Sequence, residues 1–143
     1  MNSLGIYLHI PYCLHKCGYC DFNSHPENQQ ESEIYVSALL LEIDNYAPRL
    51  AGKRVSTVFF GGGTPTILPP ASLDKILGRV KSHFNLSSEC EITIEANPAT
   101  VKQETLAQIC SSGFNRISIG VQSFDVEELK LLERVHNEEE IHT

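Results

Sequence analysis

Four short apolar runs, each followed by a stretch with helical spacing, constrain this 143-residue chain more than any other feature. The runs are Leu4–Ile10, Val55–Phe60, Glu91–Ala96 and Arg116–Val121, and they read as strands. After the first, residues 25–33 are polar and loop-like. Then Ile34, Leu39, Leu40, Leu41 and Ile43 recur at helical spacing over 31–46, with Pro48 ending the pattern. Leu73, Ile76, Leu77 and Val80 mark a second helix over 70–84. Residues 100–112 form a third, with Gly113 at a C-cap position, and residues 125–134 a fourth. Asn137 and Glu140 have the spacing of a capping box for another helix. Strand–helix alternation of this kind predicts an α/β fold with a parallel sheet. Near-continuous apolar strands predict burial on both sheet faces.

In parallel α/β sheets ligands bind at the carboxyl ends of the strands. Four chemically unusual stretches follow strands directly: a cysteine loop after Ile10, Gly61–Thr66, Glu95–Pro98 and Gln122–Ser123. The first of them carries the chemistry. Cys13, Cys17 and Cys20 are spaced C-x3-C-x2-C, short enough for one loop to present all three thiolates together. Thiolates are soft ligands that favour iron–sulfur clusters, zinc or copper(I). Closed sites usually take four protein ligands, so three leave a position open for chemistry. Two alternatives stand beside this reading. One is zinc completed by His9, His15 or His25; the other is three unrelated core cysteines, which Lys16 and Gly18 between them oppose.

A net charge of −7 argues against general affinity for nucleic acid or an anionic membrane. No apolar run approaches a membrane span, and the N-terminus shows no secretory pattern. Five cysteines with three clustered suit a reducing compartment, with the cytoplasm as the default. Cys90 and Cys110 fit no ligand pattern and are expected to be buried thiols. His83, His136 and His142 acquire no role, and Glu138–Glu140 reads as a solvated helix start. Strand four would be an exposed edge and the last helical pattern is cut short. The expectation is an N-terminal piece of a longer protein, since fewer than eight strands cannot close a barrel.

The cysteine spacing, with Tyr19 before the last cysteine, resembles the radical S-adenosylmethionine superfamily. Within it, His9–Cys13, Phe60–Thr66, Glu95–Pro98 and Gly120–Ser123 resemble the oxygen-independent coproporphyrinogen III oxidase family. The resemblance implies an incomplete, partial TIM-like barrel in which residues 1–143 supply about four β/α units. The rest of the barrel and a C-terminal region would lie elsewhere. It also implies a 4Fe–4S cluster on Cys13, Cys17 and Cys20 whose open iron is chelated by S-adenosylmethionine. Gly62, Gly63 and Thr64 would lie near the methionine portion of that cofactor, and Glu95 would accept its hydrogen bonds. Gln122 would contact it, the forked guanidinium of Arg134 would reach its carboxylate, Tyr7 would be a cofactor-side aromatic on the first strand, and Tyr19 would supply the backbone or ring beside adenine. Read alone, these are turn glycines, strand-end polar groups, a cation near a helix end and packing aromatics.

One departure matters. The oxidase branch carries a further cysteine two residues after the third, where this chain has Phe22. That resembles the branch of heme chaperones, which implies heme as cargo, a heme-acceptor protein as partner and an electron donor for the cluster. Residues that would hold heme or another tetrapyrrole are not identifiable in this stretch. The enzymatic alternative is oxidative decarboxylation of coproporphyrinogen III; a zinc-stabilised binding module is the other.

Overall fold

The computed structural model describes residues 3–135 and residue 141. In chain order the elements are β1 (Ser3–Ile10), β2 (Tyr12–Cys13), β3 (His25–Pro26), α1 (Gln29–Tyr46), β4 (Arg54–Gly62), α2 (Pro70–His83), β5 (Asn85–Ala96), α3 (Gln103–Ser112), β6 (Arg116–Ile119) and α4 (Val126–Leu131). The long strands form one sheet in the order β1-β4-β5-β6, and β2 and β3 make a separate short ladder. Every pairing is parallel: Tyr7 lies beside Phe59, Phe59 beside Thr93, and Thr93 beside Arg116.

A parallel neighbour is reached only by a crossover, and α1, α2 and α3 supply the three that the sheet requires. With strands in sequential order, crossovers of one hand put all three helices on one side of the sheet. There α1 packs on α2 and α2 on α3. Leu8, Ile10, Val58, Phe60, Ile92 and Ile94 share the resulting core with Val36, Leu39, Leu40 and Ile43 of α1. The α2 residues Leu73, Ile76, Leu77 and Val80 complete it, and Phe60 meets Phe114 edge to face with ring centroids 4.9 Å apart.

Among the described residues, no helix covers the opposite face. It carries Tyr7, His9, Phe59, Glu95, Arg116 and Ser118, and Tyr7 is 57% exposed. Burial on both faces, expected from the apolar runs, is therefore not what these residues form. Within Gly5–Ile10 the alternation is Gly-Tyr-His on one side and Ile-Leu-Ile on the other. The polar members belong to the face that a (β/α) barrel turns inward. The fold is thus a parallel β/α assembly, as the strand–helix order predicts, with the architecture of part of the TIM-like barrel that the family resemblance implies.

Element boundaries differ from the expected ones for local reasons. Helix α1 starts at Gln29 because the Asn28 side chain accepts from the N–H groups of Gln30 and Glu31, so the loop-like segment is shorter. Strand β5 begins at Asn85, pairs with Arg54 and Val55, and resumes at Glu91 after an irregularity. Before α3, Asn97 caps a single 3₁₀ turn over Pro98–Thr100. Gly113 closes α3 at φ 103°, the left-handed cap its position predicts. Helix α4 is capped by Asp125 and stops at Leu131, short of Arg134. Cys90 is buried, and burial pushes its thiol pKa up, but Cys110 is exposed on α3, contrary to expectation. His83 has a structural partner: it and Arg79 both contact Asp44, joining α2 to α1. His136, His142, the Asn137/Glu140 pair and Glu138–Glu140 lie outside the described residues.

Candidate metal and cofactor site

The cysteine loop has little core of its own and is held at its base. The β2–β3 ladder pairs Tyr12 with His25 and Cys13 with Pro26. His25 N–H donates to Pro11 O (2.9 Å) and Glu27 N–H to Cys13 O (2.9 Å), so the loop leaves and returns at one point. Inside it, Cys20 N–H donates to Cys17 O at 3.0 Å, forming a turn between the second and third cysteines.

The turn after β4 is fastened to this loop. Gly63 N–H donates to Ile10 O and Thr64 N–H to Tyr12 O, both at 2.7 Å. Glycine is required here for two separate reasons. Gly62 has φ +116°, and a Cβ on it would lie 2.6 Å from the His9 ring. A Cβ on Gly63 would lie 2.5 Å from Tyr12 O and 2.9 Å from Cys13 Sγ. The Thr64 hydroxyl reaches Cys13 Sγ at 3.7 Å. Across the rim, Glu95 accepts a hydrogen bond from Gly62 N–H at 3.1 Å.

The segments after β6 close the other side. Gln122 holds a left-handed backbone, φ 70°, which is uncommon for a residue with a Cβ. Arg134 donates to Gly120 O (2.7 Å) and Tyr19 OH (3.3 Å) and reaches Cys17 Sγ at 3.6 Å. Among the described residues its Nε is buried without a partner, and so is the hydroxyl of Ser24 in the cysteine loop. A buried donor left unsatisfied is costly, so two beside one cleft call for acceptor atoms that a ligand would bring.

Together these segments surround a cleft of about 360 Å³. Cys13, Cys17, Cys20, Tyr19, Gly62, Gly63, Thr64, Glu95, Gln122 and Arg134 all line it. Tyr7 does not. It stands on the open sheet face, stacked on Phe59 with centroids 6.0 Å apart and hydrogen-bonded to His9 Nδ1 at 3.1 Å. Burial holds its hydroxyl above the usual tyrosine range, and the Glu95 carboxylate adds to that. The cleft also includes Ser24, Ser118 and Thr100, which sequence reasoning did not single out. Thr100 could have been found, because Asn97 and Thr100 have capping-box spacing. A lone Ser24 gives no signal.

Among the described residues, no three His, Cys, Asp or Glu side chains are gathered closely enough to hold one metal ion. The cysteines line one cleft without converging on a single point. A mononuclear zinc site needs that convergence, whereas a polynuclear cluster binds each thiolate through a different iron. Three thiols, backbone left bare by glycines and two unsatisfied donors fit a cluster that carries a polar organic ligand.

A part-barrel of this kind, with a thiol-bearing loop and a polar cleft where its strands end, defines a class of cluster-dependent β/α domains. Residues 7–142 match the radical SAM superfamily, and the chain belongs to it. The heme chaperone HemW of Escherichia coli strain K12 is 44% identical over 141 residues, which cover 98% of this chain and 37% of that protein. The oxygen-independent coproporphyrinogen III oxidase of the same organism is 37% identical over 139 residues, 96% of this chain and 30% of that protein. The solved structure of coproporphyrinogen III oxidase (HemN) from Escherichia coli, described as a radical SAM enzyme, superposes with a TM-score of 0.91 at 37% identity. That match covers 97% of this chain and 32% of the other. The chain therefore spans about a third of the length of these relatives. No helix among the described residues is long and apolar enough to cross a membrane.

Proposed function

We propose that this chain forms the 4Fe–4S cluster and S-adenosylmethionine-binding part of a heme chaperone that passes heme to an acceptor protein. The observation that carries the proposal is that three cysteines and seven cofactor candidates, from four strand ends and the segment after α4, line one cleft. Cys13, Cys17 and Cys20 would ligate the cluster and leave one iron for a non-protein ligand. When bound, cluster and S-adenosylmethionine supply one-electron reduction of a sulfonium. This chain's residues bind and orient. The bare backbone at Gly62 and Gly63 and the Thr64 hydroxyl would receive the amino-acid end of the nucleotide. Glu95, already held by Gly62 N–H, would accept from its amino group, and Gln122 and Arg134 would face its carboxylate. Tyr19 would stack near adenine, while Tyr7 stands on the open sheet face against Phe59 and His9. A reducing compartment such as the cytoplasm would keep the thiols free.

The heme-chaperone reading is supported by Phe22, 64% exposed at the cleft, where an extra cysteine would stand in the oxidase branch. The Escherichia coli HemW relative is also the more identical of the two reported. Anaerobic reconstitution of the full-length protein should give a brown species containing iron and sulfide, and Cys17→Ala should lose it. A colourless zinc protein, or an unchanged chromophore in C17A, would overturn the cluster assignment. Heme transfer to an apo-acceptor without conversion of coproporphyrinogen III supports the chaperone; conversion to protoporphyrinogen supports the oxidase reading instead.

A further inference from the structure

We infer that Glu133 is a positioning residue for the cysteine loop, holding the turn between Cys17 and Cys20 from a segment 115 residues away in sequence. Glu133 stands where α4 stops: its N–H donates to Lys130 O and the next N–H, of Arg134, to Leu129 O. Its backbone is left-handed, φ 52°. This is the helix-ending position that glycine ordinarily takes, because a Cβ there is strained. Such strain persists where surrounding contacts over-determine it, and it points to a role for the side chain.

The contacts are on the loop. One carboxylate oxygen of Glu133 accepts from Gly18 N–H at 3.1 Å and meets His15 Nε2 at 3.3 Å. The Glu133 carbonyl faces the Cys17 thiol at 3.6 Å. Gly18 is fitted to the same arrangement, since a Cβ on it would lie 3.1 Å from the other carboxylate oxygen. Arg134, adjacent in sequence, reaches Cys17 Sγ. One short segment therefore grips the loop through main chain, carboxylate and guanidinium. If Glu133 served only to end α4, glycine would serve better and the carboxylate would have no reason to occupy Gly18 N–H.

The test uses the full-length protein with Glu133→Gly and Glu133→Gln. Without metal, E133G relieves the backbone strain yet should speed exchange of the Gly18 amide by about twofold to tenfold, the worth of one hydrogen bond. After anaerobic reconstitution, which rests on the cluster assignment above, E133G should release iron to a chelator severalfold faster. E133Q keeps an acceptor and removes a charge, so it should retain iron better than E133G. It should also raise the cluster's reduction potential, because a negative charge beside the loop opposes electron uptake. Unchanged Gly18 exchange in E133G overturns the inference, as does an unchanged potential in E133Q. If the wild type binds no iron, the cluster assignment fails, while the metal-free exchange measurement still decides the role of Glu133.

Discussion

Replacing Gly63 by alanine tests the joint between the turn after β4 and the cysteine loop. The added methyl would lie 2.5 Å from Tyr12 O, 2.9 Å from the Tyr12 carbonyl carbon and 2.9 Å from Cys13 Sγ. Two of these three atoms belong to the backbone and cannot swing aside as a side-chain end can. Relief requires the two segments to part, which stretches the bonds from Gly63 N–H to Ile10 O and from Thr64 N–H to Tyr12 O. Overpacking of this kind costs about 1–3 kcal/mol and each weakened hydrogen bond about 1 kcal/mol. The expected loss is about 2–5 kcal/mol, a large share of a domain's usual 5–15 kcal/mol or so. Gly78 is the control. It is exposed on α2, and a methyl added there would meet nothing within 4 Å, so Gly78→Ala should stabilise by about 0.5–1 kcal/mol. Urea unfolding of the full-length protein reads both changes, and iron and sulfide content after reconstitution reads the effect at Cys13. A G63A variant within about 0.5 kcal/mol of wild type, carrying full iron, would refute the steric account, as would both alanines shifting stability the same way.

Three further outcomes follow from the same contacts. Tyr35 donates to His9 O; burial chiefly, and then Glu42, Tyr12 and Tyr7, raise its pKa above 10.0. A raised folded-state pKa gives stability that is present below about pH 10 and lost as pH climbs through the folded value. Tyr35→Phe should therefore cost about 1 kcal/mol at neutral pH and show a shallower alkaline decline in urea unfolding; an unchanged slope above about pH 10 would contradict this. Ser24→Ala should leave metal-free stability unchanged or raise it by up to about 1 kcal/mol, because the hydroxyl is buried without a partner among the described residues. Its iron retention should nevertheless fall, and full retention would remove Ser24 from the site. Asp44→Ala severs contacts to Arg79 at 2.9 Å and His83 at 3.2 Å, but these side chains are about one-third exposed. The cost in urea unfolding should accordingly be no more than about 1 kcal/mol.

The strand–helix order was legible because each apolar run and each helical stripe is long enough to show its period. The rim was legible for the same reason, since a parallel sheet puts every loop that follows a strand at one edge. The faces of the sheet were not. Tyr7 and Phe59 count as apolar in a run, yet they sit on the open face with His9 and Glu95, and only the alternation separates them from Leu8 and Phe60. The irregularity before Glu91 hid the true start of β5 behind the polar Ser87, Ser88 and Glu89. Cys110 was misjudged because a single cysteine on a helix carries no directional information until the helix face is known. Most of the candidate cofactor residues fall in the cleft because their motifs abut strand ends, whereas Tyr7, inside β1 rather than at its end, stands short of it.

What no local pattern could supply is the grip on residues 14–24. That stretch buries only Cys17 and Ser24 and depends on three supports: the ladder of Tyr12–Cys13 with His25–Pro26 at its own base, the Gly63–Thr64 turn bonded to Ile10 and Tyr12, and the Glu133–Arg134 segment. The last two belong to other β/α units, so the loop is fully held only when the sheet has brought both of them to it. Thiol placement is then a consequence of the whole fold rather than of the C-x3-C-x2-C spacing. Damage to any one partner should disturb the loop while leaving the core of Leu73, Ile76, Leu77 and Val80 intact. Loss of site order without loss of helical structure is the physical signature that separates these contacts from the packing that holds the domain together.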